Sequence, residues 1–229
     1  MLIMDWVSSA VDHGSTIGLL ALNALFMLMK DYNLDYPSFY TRLYSFLERD
    51  MLHLKHRARF FRLTELFLSS THLPANLVAS FVKRLSRLSL TAPPAAVIML
   101  IPFTYNMLRR HPALMAMIHR TDDDAGVECD GFLVAEPNPT LTNALESSLW
   151  ELYSHRQHYH ASVSTLAKIF EEAFTRPSYA MEDFLDHTYS TLFDTEVKRK
   201  IRKAPAIASV LEFSQVPEGD EMRELWTIA

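Results

Sequence analysis

The chain has 229 residues, 49% hydrophobic and 21% charged, with 11 Met but only 5 Gly. That is enough apolar material to bury a core, and it excludes a disordered polymer. Few glycines beside many Leu, Ala and Phe favour helices over the turn-rich chemistry of many short strands, so an all-α class is expected.

A single cysteine, Cys129, excludes an internal disulfide framework and a cysteine-based zinc site. The opening MLIMDWVSSAVDHG has no basic segment ahead of an apolar one, so an intracellular chain without a secretory signal is expected. Charge is unevenly placed. Residues 1–120 carry 13 Lys+Arg against 7 Asp+Glu, residues 121–197 carry 3 against 15, and residues 198–229 carry 6 against 5. A basic half therefore adjoins an acidic one.

Taken in chain order, apolar periodicity predicts helices near 16–31, 38–48, 53–69, 74–90, 94–110 and 112–119. Ser70 or Thr71 ahead of Pro74, and Thr91 ahead of Pro93-Pro94, supply cap acceptors and prolines suited to a first turn. On the helix from Pro74, Leu77, Phe81, Leu85 and Leu88 share one side while Lys83, Arg84 and Arg87 gather opposite, which reads as a one-sided surface helix. The helix before it carries two apolar stripes, Phe60, Leu63 and Phe67 on one and Leu54, Phe61 and Leu68 on the other. It therefore expects neighbours on two sides, with Lys55, Arg59 and Arg62 along a third direction.

Pro37, Pro74 and Pro112 punctuate the chain at 37- and 38-residue intervals, about one helical hairpin each. That period suits HEAT-like antiparallel helix pairs stacked into an α-solenoid. No charge falls in the 21 residues between Arg87 and Arg109. The prolines and Asn106 in that stretch favour a buried solenoid helix over a membrane span.

After Arg120 the pattern breaks into an acidic loop, 121–140. Helical periodicity resumes near 141–154, 161–174 and 181–203, so 141–203 continues the solenoid. Residues 204–229 read as an irregular, extended tail.

The basic residues Lys55, Arg57, Arg59, Arg62, Lys83, Arg84, Arg87, Arg109 and Arg110 are the candidate partner- or RNA-binding set, because clustered cations release counterions on meeting phosphate. Arg87, Arg109 and Arg110 also suit helix C-termini without any ligand. His155, His158 and His160 lack metal-ligand spacing and read as a solvated helix end. Asp122–Asp124 lack the alternation of a calcium loop. No nucleophile elbow, phosphate loop or dinucleotide fingerprint occurs, and Cys129 between Glu128 and Asp130 is poorly placed for catalysis. No enzyme, cofactor or metal is expected. KRKIRK at 198–203 reads equally as a localisation or nucleic-acid patch and as a basic helix end.

The segments LLALNALFML, DYPSFYTRLYSFL, HRARFFRLTELFLSSTHLPANLVASFVKRLSRLSLTAPPAAVIMLIPF, NMLRRHP and ALESSLWEL resemble the CCAAT-binding-factor-like family from about Ile17 to Leu152. The resemblance implies a non-catalytic nucleolar factor that forms a heterodimer with nucleolar protein 14 and works in the small-subunit processome, where rRNA matures. The family's segment for that pairing corresponds to Arg57–Pro94. Members are longer at the N-terminus, so this chain is expected to be a short product or a truncated one. A helical scaffold with direct pre-rRNA contact through its basic face is the leading expectation. The alternative, prompted by Leu88–Leu108, is a membrane protein of the nuclear envelope.

Overall fold

The structure, a computed structural model, describes residues 2–32, 36, 38–54, 56–119 and 130–200. Lys55, Asp122–Asp124, Cys129, the end of KRKIRK and the tail from Ala204 lie outside the described residues. Helices are the regular structure throughout, with no strand among the described residues. The chain divides into two units, Met1–Leu192 and Phe193–Ala229.

The first pair is α1 (Leu2–Asp12) and α2 (Ser15–Tyr32). Gly14 joins them at φ 74°, a left-handed conformation that costs glycine little, and its amide donates to the Val11 carbonyl at 3.1 Å. At Gly18 a side chain would have its Cβ 2.9 Å from both the Phe46 ring and the Val11 carbonyl oxygen, so glycine lets α2 lie close. Arg42, on α3 (Phe39–Ser45), caps the end of α1 by donating to the Val11 and Asp12 carbonyls. No helix was expected over the first fifteen residues; α1 forms there with Val7 and Val11 buried.

A 3-10 turn, Asp50–His53, leads into α4 (Arg57–Leu68), followed by α5 (Ala75–Ser89) and α6 (Pro94–Arg110). The two apolar stripes of α4 are buried as expected, with only Leu54 part-exposed. The expected serine and threonine caps are absent: Pro74 and Pro93 themselves precede α5 and α6, and neither helix has a side-chain cap. Thr91 instead donates back to the Leu88 carbonyl, the local competition such hydroxyls offer.

Helix α6 explains the long uncharged stretch. Ala96, Met99, Leu100, Phe103 and Met107 face the main core, while Val97, Ile98, Ile101 and Tyr105 face a second core. Every residue from Ala95 to Leu108 is buried, Asn106 included. A helix with both faces covered needs apolar residues all round. No helix among the described residues is long and apolar enough to cross a membrane.

Beyond residue 130 the chain is more broken than its periodicity suggests. The expected helix 141–154 is a 3-10 turn at Ala144–Glu146 and a short α7 (Trp150–Ser154). Asn143 sits at φ 56° and Ser147 is extended, residues whose side chains compete with helical hydrogen bonding. Similarly 161–174 resolves into α8 (Ala161–Ala167) and a 3-10 turn, and the described part of 181–203 into α9 (Glu182–Leu185) and α10 (Tyr189–Lys198). Helices α8 and α9 lie against α6, and Val163, Ala167 and Ile169 supply the far wall of the second core. The Tyr105 ring stacks on Phe174 at 5.0 Å and meets Tyr179 edge-on at 5.3 Å.

Candidate macromolecule-binding surface

Helix α5 was expected to turn Lys83, Arg84 and Arg87 outward, and it does not do so uniformly. Lys83 is fully buried, at 0% exposure. Its Nζ donates to the Ser148 carbonyl at 2.6 Å and lies 2.8 Å from the Asp130 carboxylate and 2.7 Å from that of Glu151, itself fully buried. The Ser148 carbonyl accepts its hydrogen bond, while the two carboxylates meet it as ion pairs and neither Glu151 oxygen accepts a hydrogen bond among the described residues. The one-sided reading of α5 failed because it took no account of the segment 130–151 that covers the polar side.

Burial pushes the Glu151 carboxyl up against the pull of Lys83. Burial acts on Asp130 in the same direction, but bonds from Lys83, Ser147 and the Phe132 amide outweigh it and hold that carboxyl below its ordinary value. The carboxylate with several donors thus stays ionised most readily.

The neighbouring cations behave alike. Arg84 is half-buried, donates from Nε to the Leu47 carbonyl at 2.9 Å and covers the Tyr44 ring. Arg87 lies 3.9 Å from Asp130 and over Phe132. Arg57, also expected on the basic face, is buried; it donates to the Leu52 carbonyl at 3.1 Å and the His187 carbonyl at 2.7 Å. Arg62 is exposed but grips Glu182 with both prongs of its guanidinium. Arg109 donates to the Arg176 carbonyl at 2.5 Å. Arg59 and Arg110 are exposed, and burial raises the Glu65 carboxyl while the Arg110 charge pulls it down.

The basic block is therefore largely a clasp for the acidic half of the chain. Asp130, Glu151 and Glu182 were not singled out from the sequence. Their signal was the excess of carboxylates in 121–197 facing an excess of cations in 1–120. Asn106 works in the same seam, exchanging two hydrogen bonds with the Tyr179 backbone at 2.9 and 2.8 Å.

His155 corrects the reading of HRQHYH as a solvated end, since it is buried and its Nε2 lies 2.6 Å from the Ser89 hydroxyl. That hydroxyl also bonds the Ser86 carbonyl at 2.6 Å. Its one proton serves the carbonyl, so His155 donates from Nε2. Burial lowers the imidazole pKa to about 4, helped by nearby His158.

Among the candidate cations Arg59 and Arg110 face outward, as do the tethered Arg62 and Arg109, and the first hairpin exposes apolar side chains: Ile3 and Trp6 on α1, and Ile17, Leu20 and Met27 on α2. Trp6 is 72% exposed. Exposed apolar side chains of this size on one helix pair suit an interaction face.

A family model described as CBF/Mak21 matches residues 18–167. The chain is 48% identical to nucleolar complex protein 4 of Saccharomyces cerevisiae, over 88% of this chain and 39% of that protein. It is 46% identical to the human nucleolar complex protein 4 homolog, over 87% and 38%, and 52% identical to an uncharacterized protein of Schizosaccharomyces pombe, over 90% and 42%. It thus spans about two-fifths of the length of these relatives.

Proposed function

We propose that this chain, which belongs to the CBF/Mak21 family, is a non-catalytic scaffold of the nucleolus acting in small-ribosomal-subunit biogenesis and rRNA processing. The observation that carries this reading is its 46–48% identity to proteins named nucleolar complex protein 4, over most of the chain. In this reading the helices stack as HEAT-like pairs into an α-solenoid, and the scaffold forms a heterodimer with nucleolar protein 14 inside the small-subunit processome. Stacked helix pairs offer extended surfaces for such a role, and the exposed apolar face of α1 and α2 supports it.

In this reading direct pre-rRNA contact falls to the outward cations Arg59, Arg62, Arg109 and Arg110 rather than to the buried Arg57 and Lys83. Size-exclusion of the purified chain with purified nucleolar protein 14 tests the pairing, a shared peak being expected. Crosslinking to a small-subunit pre-rRNA fragment tests the contact. Arg59→Glu with Arg110→Glu is expected to abolish crosslinks and leave the shared peak intact. Separate elution of the two proteins overturns the pairing; unchanged crosslinks overturn the assignment of those arginines.

A further inference from the structure

Helix α10 (Tyr189–Lys198) buries none of its residues. Tyr189, Phe193 and Val197 recur every four residues along it, and Phe193 and Val197 are 69% and 67% exposed. A ten-residue helix is marginal in water by itself, since helices below about 12–15 residues rarely hold without tertiary packing. Its start, however, is fixed. Thr188 and Thr191 bond reciprocally, the Thr191 amide donating to the Thr188 hydroxyl at 3.2 Å and the Thr188 amide to the Thr191 hydroxyl at 2.9 Å. Arg57 holds the adjacent His187 carbonyl and lies over the Tyr189 ring.

Charge along the helix is polarised. Asp194 and Glu196 precede Lys198, Arg199 and Lys200, and Ile201 continues the apolar spacing amid Arg202 and Lys203. Upstream, Glu182, Asp183 and Asp186 are acidic as well. A nucleic-acid backbone would meet repulsion along most of this length, whereas an apolar groove with an acidic rim at one end suits both the stripe and the basic terminus.

We propose that α10 is a docking helix that lays Tyr189, Phe193 and Val197 into an apolar groove of a partner protein, with Lys198–Lys200 against acidic side chains at the groove's end. This rests on the pairing reading above and names the element that carries it, so purified nucleolar protein 14 is the probe. The docking orders the far turns of a helix whose first turn is already set, which lowers the entropic cost of binding.

The test uses the full chain in titration calorimetry and amide hydrogen exchange. Phe193→Asp with Val197→Asp is expected to weaken binding by roughly 30-fold or more, as loss of central apolar anchors does. Lys198→Glu with Lys200→Glu is expected to weaken it less and to remove its salt dependence. The amides of α10 are expected to gain protection on binding. Both variants change exposed residues, so unchanged thermal melting confirms that they fold. Wild-type affinity in the Phe193, Val197 variant, with no new protection in α10, overturns the docking helix and leaves the pairing standing. Absence of binding by the wild type overturns both. Loss of RNA retention without loss of partner binding overturns it in favour of a nucleic-acid surface.

Discussion

At the scale of single residues, the decisive group is Lys83. Its two carboxylate partners and complete burial make it a structural cation, and removing one partner from a buried ion pair costs about 3–5 kcal/mol because the other charge is left behind. Lys83→Met is therefore expected to lower unfolding stability by about that amount in urea titrations. Adding Glu151→Leu is expected to restore much of it, as no fully buried carboxylate then lacks its cation. A charge reversal at Lys83 reports on folding, not on binding. His155 gives a second prediction. Its folded pKa of about 4 lies below the ordinary histidine value, so the unfolded chain takes up the proton first. The stability it contributes is complete above pH 6.5 and is lost as pH falls toward 4. Denaturation midpoints of wild type and His155→Gln are expected to differ at neutral pH and to converge through that window.

At the scale of elements, periodicity located the helices between residues 16 and 110, missed α1, took the 3-10 turn Pro112–Met117 for a helix and misjudged the pieces beyond residue 130. The expected helix 94–110 is α6 to the residue, and 16–31 and 74–90 are within one residue of α2 and α5 at each end. Long amphipathic or wholly apolar runs carry their own period. The stretch 141–154 carries one too, through Leu141, Leu145, Leu149 and Leu152, yet Leu141 is exposed and the backbone bends at Asn143 and Ser147. There the backbone answers to tertiary bonds, such as the Leu149 amide to the Met117 carbonyl at 2.9 Å, which no local pattern encodes. The close approach at Gly18 is likewise set by elements distant in sequence. Gly18→Ala presses a methyl against the Val11 carbonyl, which is backbone and cannot swing aside. The expected cost is about 1–3 kcal/mol, read as a lower melting temperature.

At the scale of the molecule, the uneven charge was legible, but its purpose was not. A basic half beside an acidic one suggested an external polyanion, whereas the cations at 57, 62, 83, 87 and 109 bind groups between residues 130 and 187. Sequence displays charge without showing which charges meet, and pairs more than a hundred residues apart are invisible to it. A fragment of residues 1–120 is accordingly expected to expose Val97, Ile101 and Tyr105, to leave Lys83 without its carboxylates, and to aggregate on purification. Light scattering measures this, and co-expression with residues 121–200 is expected to restore solubility.

The two-sided burial of α6 also sets a timetable. Tyr105 leaves the ribosome well before Phe174, Tyr179 and Phe184, which complete its surroundings. At translation speeds of about 5–20 residues per second, the outer face of α6 stands bare for several seconds in every newborn copy. During that interval the nascent chain presents a greasy helix to the cell, and a holding chaperone would find its natural grip there.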